Sequence, residues 1–186
     1  MSYVSQGDFE QAKQPLKEVL HFSQRLGCEY IGTPAQCFLS VVLVAEGKFA
    51  QGFKMLKGAQ RQWLKHNAPW RYTFSELIFG ELFSAMAGRK TPISFASIVK
   101  NVGFLAKNLP FARQKAETHY KKAIASAQKV GAKAMEGQAH LGLGKLYSNT
   151  GNKDKARDCF SSAIQLFKGC EAETFLKKAH EGLSAL

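Results

Sequence analysis

One spacing of small, aromatic and aliphatic residues recurs along the chain, and it restricts the fold more than any other feature. Tyr147-x3-Gly151-x4-Ala156-x3-Phe160-x2-Ala163 lies without a gap over Tyr3-x3-Gly7-x4-Ala12-x3-Leu16-x2-Val19 and over Leu43-x3-Gly47-x4-Gly52-x3-Leu56-x2-Ala59. Ala116-x3-Tyr120-x2-Ala123 repeats its second half. Ala12 and Gly52 are 40 residues apart, as are Ala116 and Ala156, while the middle interval is 64, so about 24 residues are inserted there. A fixed period of this length marks an array of supersecondary units that stack on their neighbours.

Each unit reads as a helix hairpin. Clean alternation of apolar and polar residues is almost absent, which argues against strands. Leu141, Leu143, Leu146 and Tyr147 precede the turn Gly151-Asn152, and Ala156, Phe160, Ala163, Ile164 and Phe167 follow at three- and four-residue steps. Gly151 stops a helix cheaply because it accepts a left-handed backbone. Asp154 falls in the next first turn, where the dipole favours an anion.

The same reasoning predicts helices over about 8–26, 34–46, 48–66, 70–87, 111–130, 133–150, 153–168 and 171–185. Thr91-Pro92 predicts a further, inserted helix over 93–107, with Phe95, Ile98, Val99, Val102, Phe104 and Leu105 as its apolar positions. Pro69 and Pro110 suit helix starts, where a missing N–H costs nothing. The last helix buries Ala172, Phe175, Leu176, Ala179 and Leu183 and turns Lys177, Lys178 and Glu181 outward, as a solvating cap does. The expected fold is all-α: a right-handed α-solenoid of antiparallel helix hairpins with an inserted helix and a C-terminal capping helix. It divides as one domain over 1–186. A half repeat spans 1–27, repeats span 33–67, 69–131 (insertion about 89–110) and 133–169, and the cap spans 171–186. Tyr3 aligns with the end of a first helix, so the chain is expected to open in mid-repeat. The first helix would then lack a partner on its apolar face, which either is covered by a second copy, giving a homodimer, or frays.

These residues resemble the tetratricopeptide repeat, which carries Leu-Gly-x-x-Tyr in its first helix and a small residue, an aromatic and an Ala in its second. Leu143-Gly144-x2-Tyr147-x8-Ala156-x3-Phe160-x2-Ala163 matches best. Lys168 stands near the family's frequent Pro, and Gly52 replaces the packing Ala. Residues 93–186 also resemble the C-terminal repeat region of bacterial signalling proteins. In those, an adenylate/guanylate cyclase domain and an AAA or STAND-type ATPase domain come first. Asn101-Val102-Gly103-Phe104-Leu105, Asn108-Leu109-Pro110-Phe111-Ala112, Gly137-Gln138-Ala139-His140-Leu141 and Cys170-Glu171-Ala172-Glu173 carry that likeness. It implies a regulatory or scaffolding segment and transfers no catalytic residue.

The tetratricopeptide resemblance implies that outward positions of the first helices line an inner groove. Here these are Cys37, Val41 and Val44, then Phe74, Leu77, Glu81 and Ser84, then Gln138, Leu141, Lys145, Ser148 and Asn149. An apolar floor at one end and polar groups at the other suit an extended peptide or a helix. Alternatively Val41 and Leu77 are covered by the inserted helix or a neighbour, and one form has the insertion occluding the groove.

The charge is uneven. The chain carries 26 basic and 14 acidic residues, net +12. Residues 48–71 hold six basic and no acidic side chains, and residues 100–133 hold eight against Glu117. Arg61, Trp63, Lys65, Trp70 and Arg71 mix charge with aromatics, and Lys115, Lys121, Lys122 and Lys129 make a second stripe. This is a solvated helical face, a nucleic-acid or anionic surface site, or a site for an acidic protein.

Catalytic and metal chemistry finds little footing. Cys28, Cys37, Cys159 and Cys170 form no C-x-x-C pair; their number allows a disulfide, but reduced, mostly buried thiols are expected. His119 and His140 are 21 apart, so no metal is expected. Gly142-Leu143-Gly144-Lys145 lacks the Gly and Ser/Thr positions of a phosphate loop. Asp154/Asp158 and Glu171/Glu173 sit at helix starts, where the dipole explains them. No Gly-x-Ser-x-Gly elbow occurs. The expected protein is a non-catalytic protein-interaction module without cofactor. It is expected to be cytoplasmic, since no signal peptide is visible and the apolar runs are too short to span a membrane.

Overall fold

The positions that end the helices repeat at 20-residue steps. The computed structural model describes residues 9–88 and 95–186. Gly27, Gly47 and Asn67, and again Gly131, Gly151 and Glu171, adopt positive φ. The residue after each donates its backbone N–H to the carbonyl five positions back. These bonds are Cys28 to Ser23, Lys48 to Leu43, Ala68 to Trp63, Ala132 to Ala127, Asn152 to Tyr147 and Ala172 to Phe167, at 2.8–3.1 Å. This is the Schellman closure, which satisfies carbonyls orphaned at the helix end. A new helix starts one residue later each time, so the sequence period of 40 is two copies of a 20-residue helix-and-turn unit.

The helices are α1 (Phe9–Arg25), α2 (Glu29–Ala45), α3 (Phe49–Lys65), α4 (Pro69–Ala87), α5 (Phe95–Asn108), α6 (Ala112–Val130), α7 (Lys133–Ser148), α8 (Lys153–Lys168) and α9 (Glu173–Ser184). A short 3-10 turn, Leu109–Phe111, precedes α6. No strand occurs among the described residues. The expected all-α architecture of hairpins is present, with consecutive helices packed on one another inside each unit. The second helix begins at Glu29, five residues before its expected start, and runs through Pro34. The Gly27 turn and the anion-favouring first turn at Glu29 decide its start; the proline does not. The expected break at 89–92 lies outside the described residues.

Contacts gather the chain into two compact units, 1–68 with 90–110 and 69–89 with 111–186. In the first, α1, α2 and α3 pack in sequence and α5 joins α3. Trp63, Phe49 and Leu56 are its largest fully buried apolar side chains. A Cβ on Gly52 would lie 2.7 Å from the Ser40 carbonyl and 2.7 Å from Val44 Cγ2, so glycine lets α2 and α3 approach where Ala serves elsewhere. Lys13 is buried, with its Nζ 2.6 Å from Glu46 and 2.5 Å from Glu10.

The inserted helix departs from expectation. Among the described residues, only Leu105 of its expected apolar positions is buried; Ile98, Val99 and Val102 are exposed. Phe104 meets Phe53 of α3 with ring centroids 5.0 Å apart. Asn101 has non-helical φ/ψ and kinks the helix so that its amide reaches the start of α3. Within its unit the insertion therefore leans on the second helix of a hairpin, and the contacts that anchor it are polar as much as apolar.

In the second unit α4 packs on α6 although 24 residues separate them, and α7, α8 and α9 follow. The first helices α4, α7 and α9 also touch in a row. Ala112, Ala116, Ala123 and Ala127 are fully buried on α6, giving a flat strip against which helices close. Phe160 fills a notch between Gly144 of α7 and Gly182 of α9; a Cβ at either would fall within 2.7 Å of its ring. Full burial of such a ring contributes about 2–3 kcal/mol. Phe175, Leu176 and Leu183 of the cap helix pack on this cluster around Ala179.

Candidate functional site

Tyr120 sets the geometry of a recess in the second unit. Its ring is clamped between Gly80 of α4 and Gly142 of α7, where an added Cβ would lie 2.7 Å and 2.4 Å from it. The two first helices thus diverge over an aromatic wedge, and a hollow of about 240 Å³ opens along them. Glu81 and Ser84 line it from α4, and Gln138, Leu141 and Lys145 from α7. Phe175 and Lys178 of the cap helix close the far side.

The electrostatics of the recess are mixed. Burial raises the Glu81 carboxyl above its ordinary value, against the opposing pull of Lys145 and Lys178. Glu81 nonetheless stands at the mouth of the hollow and is exposed as a residue. Burial also pushes the Tyr120 phenol far up, aided by Glu81 and opposed by a bond with Ser84. Tyr120 therefore stays a neutral hydrogen-bonding group. Lys178 lies 5.5 Å over the Phe175 ring. The hollow offers two cations, one carboxylate, an apolar floor and neutral polar groups. It is smaller than the roughly 300 Å³ at which drug-sized ligand pockets begin, so it fits one or two side chains of a longer ligand.

Of the twelve groove residues read from the sequence, Glu81, Ser84, Gln138, Leu141 and Lys145 come together here. Leu77 is 4% exposed and belongs to the core. Phe74 is half-buried one turn away. Ser148 and Asn149 sit at the end of α7, half-buried and exposed respectively, and do not line the hollow. Cys37, Val41 and Val44 belong to α2 in the first unit. Cys37 is fully buried, and burial pushes its thiol up to about 12. Val44 is buried and covers Gly52, while Val41 is half-buried. The expectation that Cys37, Val44 and Leu77 face a groove is thus corrected: a first helix packed on two neighbours keeps few free positions. Tyr120, Phe175 and Lys178 were missed. Tyr120 reads as a packing aromatic, and the cap reads as solvating until it is seen in register with α7.

The basic residues divide between the units. Arg61 and Lys65 are exposed on α3. Arg71 lies 4.8 Å over Trp70 and Lys115 5.6 Å over Phe83. Lys121 pairs with Glu117 at 2.6 Å, and Lys122 and Lys129 are exposed on α6. Trp63 is 1% exposed, so it offers no stacking face.

A buried polar pair also escaped the sequence. Glu76 is 2% exposed, with His119 Nδ1 2.6 Å from its Oε2. The imidazole stacks between Phe79 and Phe83, at 4.8 and 5.5 Å. Burial alone would raise the Glu76 carboxyl, but bonds from His119 and Tyr72 and the charges of His119 and Lys122 outweigh it. The carboxyl lies below the ordinary range. The four cysteines are free thiols; Cys37 is buried, and Cys28, Cys159 and Cys170 are half-buried.

Rows of helix hairpins with aromatic wedges define a helical-repeat scaffold. Residues 137–169, spanning most of α7 and all of α8, match the tetratricopeptide repeat family. The match coincides with the hairpin that carries the fullest sequence pattern, and it points to protein–protein interaction. No curated protein matches the chain. No described helix is long and apolar enough to cross a membrane.

Proposed function

We propose that the second unit is a non-catalytic docking module that takes an extended peptide segment of a protein partner in the recess beside Tyr120. The observation that carries this reading is the convergence of Glu81, Ser84, Gln138 and Lys145, from two first helices, on one hollow with Lys178. An acidic side chain of the partner meets Lys145 and Lys178, and a small apolar one rests on Leu141 and Phe175. The hollow is too small for a whole helix, which favours the extended form. Within a longer signalling protein such a module serves as a regulatory or scaffolding segment; the sequence likeness over 93–186 supports that setting.

The test is selection of peptides from a random library against the full chain, followed by titration of Lys145→Glu and Lys178→Glu variants. The selected peptides should lose at least tenfold in affinity with either. Equal binding by both variants would put the site elsewhere. Binding of nucleic acid through the basic side chains is the competing reading, and it has less support because Arg71, Lys115 and Lys121 already have ring or ion-pair contacts.

A further inference from the structure

Helix α1 carries two apolar faces. One, with Leu16, Leu20 and Ser23, packs toward α2. The other, about a quarter turn round the helix, holds Val19 and Phe22 and is continued by Leu26 just past the helix end; the three are 40%, 56% and 56% exposed. Val19 and Leu26 are seven residues apart with Phe22 between them. This is the a–d–a spacing of a coiled-coil seam. Glu18 and Arg25, also seven apart and both exposed, border the seam on its outer edge.

We propose that two copies of the chain associate through this seam, α1 against α1 and antiparallel. The borders select the direction. In an antiparallel pair, the positions that precede each a residue face one another, so Glu18 of each copy meets Arg25 of the other. In a parallel pair, Glu18 would need to meet the position of Ser23, which the α2 contact already occupies, and Arg25 that of Tyr30, which carries no acid. The charges also select the partner. One acid and one base at equivalent positions complement their own two-fold image and match neither a polyanion nor a polycation. Isologous pairing of this kind closes as a dimer. Tyr30 and Ile31, exposed at the start of α2, extend the apolar surface beyond Leu26.

Sedimentation equilibrium of the full chain at micromolar concentration tests this, with circular dichroism as the check on folding. The native chain should have the mass of two copies. Phe22→Glu should be monomeric with unchanged helicity, since Phe22 is half open in the single copy. Glu18→Arg alone and Arg25→Glu alone should each weaken the dimer at least tenfold, and the double reversal should restore it. A native chain that stays monomeric, a dimer indifferent to Phe22→Glu, or a double reversal no better than the singles would each overturn the proposal.

Discussion

The Asn101 side chain accepts a hydrogen bond from the Ala50 backbone N–H at 3.0 Å, capping a helix that has no side-chain cap of its own. The same amide donates to the Gly47 carbonyl at 2.9 Å and the Ser97 carbonyl at 2.8 Å. One residue thus closes the start of α3, the preceding turn and the kink in α5. Asn101→Ala should cost about 2–3 kcal/mol, from the lost cap and the two stranded carbonyls. Urea denaturation followed by circular dichroism measures it, and a cost below about 0.5 kcal/mol would mean that α5 is held some other way.

The clamp on Tyr120 makes a second prediction. A methyl group at Gly142 has nowhere to go, being 2.4 Å from the ring. Gly142→Ala should destabilise by about 1–3 kcal/mol. In a Tyr120→Ala background the same change should cost almost nothing, because the obstacle is gone. A double-mutant cycle reads that coupling, and additive effects would contradict the wedge.

The turns make a third. Glu171 holds φ 53 where Gly27, Gly47, Gly131 and Gly151 serve in equivalent turns. A left-handed backbone costs an ordinary residue roughly 1–2 kcal/mol, and glycine gives back part of that in chain entropy. Glu171→Gly should therefore stabilise the chain by about 0.5–1 kcal/mol, read as a higher urea midpoint.

Much of the hairpin array was legible because it is local. Gly151, Asp154, Phe160 and Ala163 announce a turn and a buried face from spacing alone, and eight helix starts fall near their expected places. The insertion was harder. Its apolar positions predict a buried helix, yet Asn101, a residue with no pattern around it, fixes its place through partners 51 and 54 residues away. The recess was half legible. Glu81, Gln138 and Lys145 follow from the repeat register, but Lys178 enters only through the stacking of the cap. Cys37 and Val44 misled because a groove-facing register says nothing of how tightly neighbours close over it.

Acid should loosen the second unit through Glu76. Its folded carboxyl lies below the ordinary value of about 4.3 that it takes in the unfolded chain. Its contribution is complete above that value and is lost as pH falls below it toward the folded-state value. Thermal midpoints measured from pH 6 to pH 3 should fall less steeply in Glu76→Gln than in the native chain. Some slope will remain, because Glu46 and Glu117 are lowered too, by their lysine and tyrosine bonds acting against burial. Parallel profiles would remove Glu76 from this role.

The recess itself is tested most directly by mapping amide chemical shifts of the full chain while a library-selected peptide is titrated in. The account predicts that the largest changes fall on Glu81, Ser84, Gln138, Lys145 and Lys178, with α3 and the outer lysines Lys122 and Lys129 unmoved. Changes centred on Lys122 and Lys129, with the residues around Tyr120 silent, would contradict it.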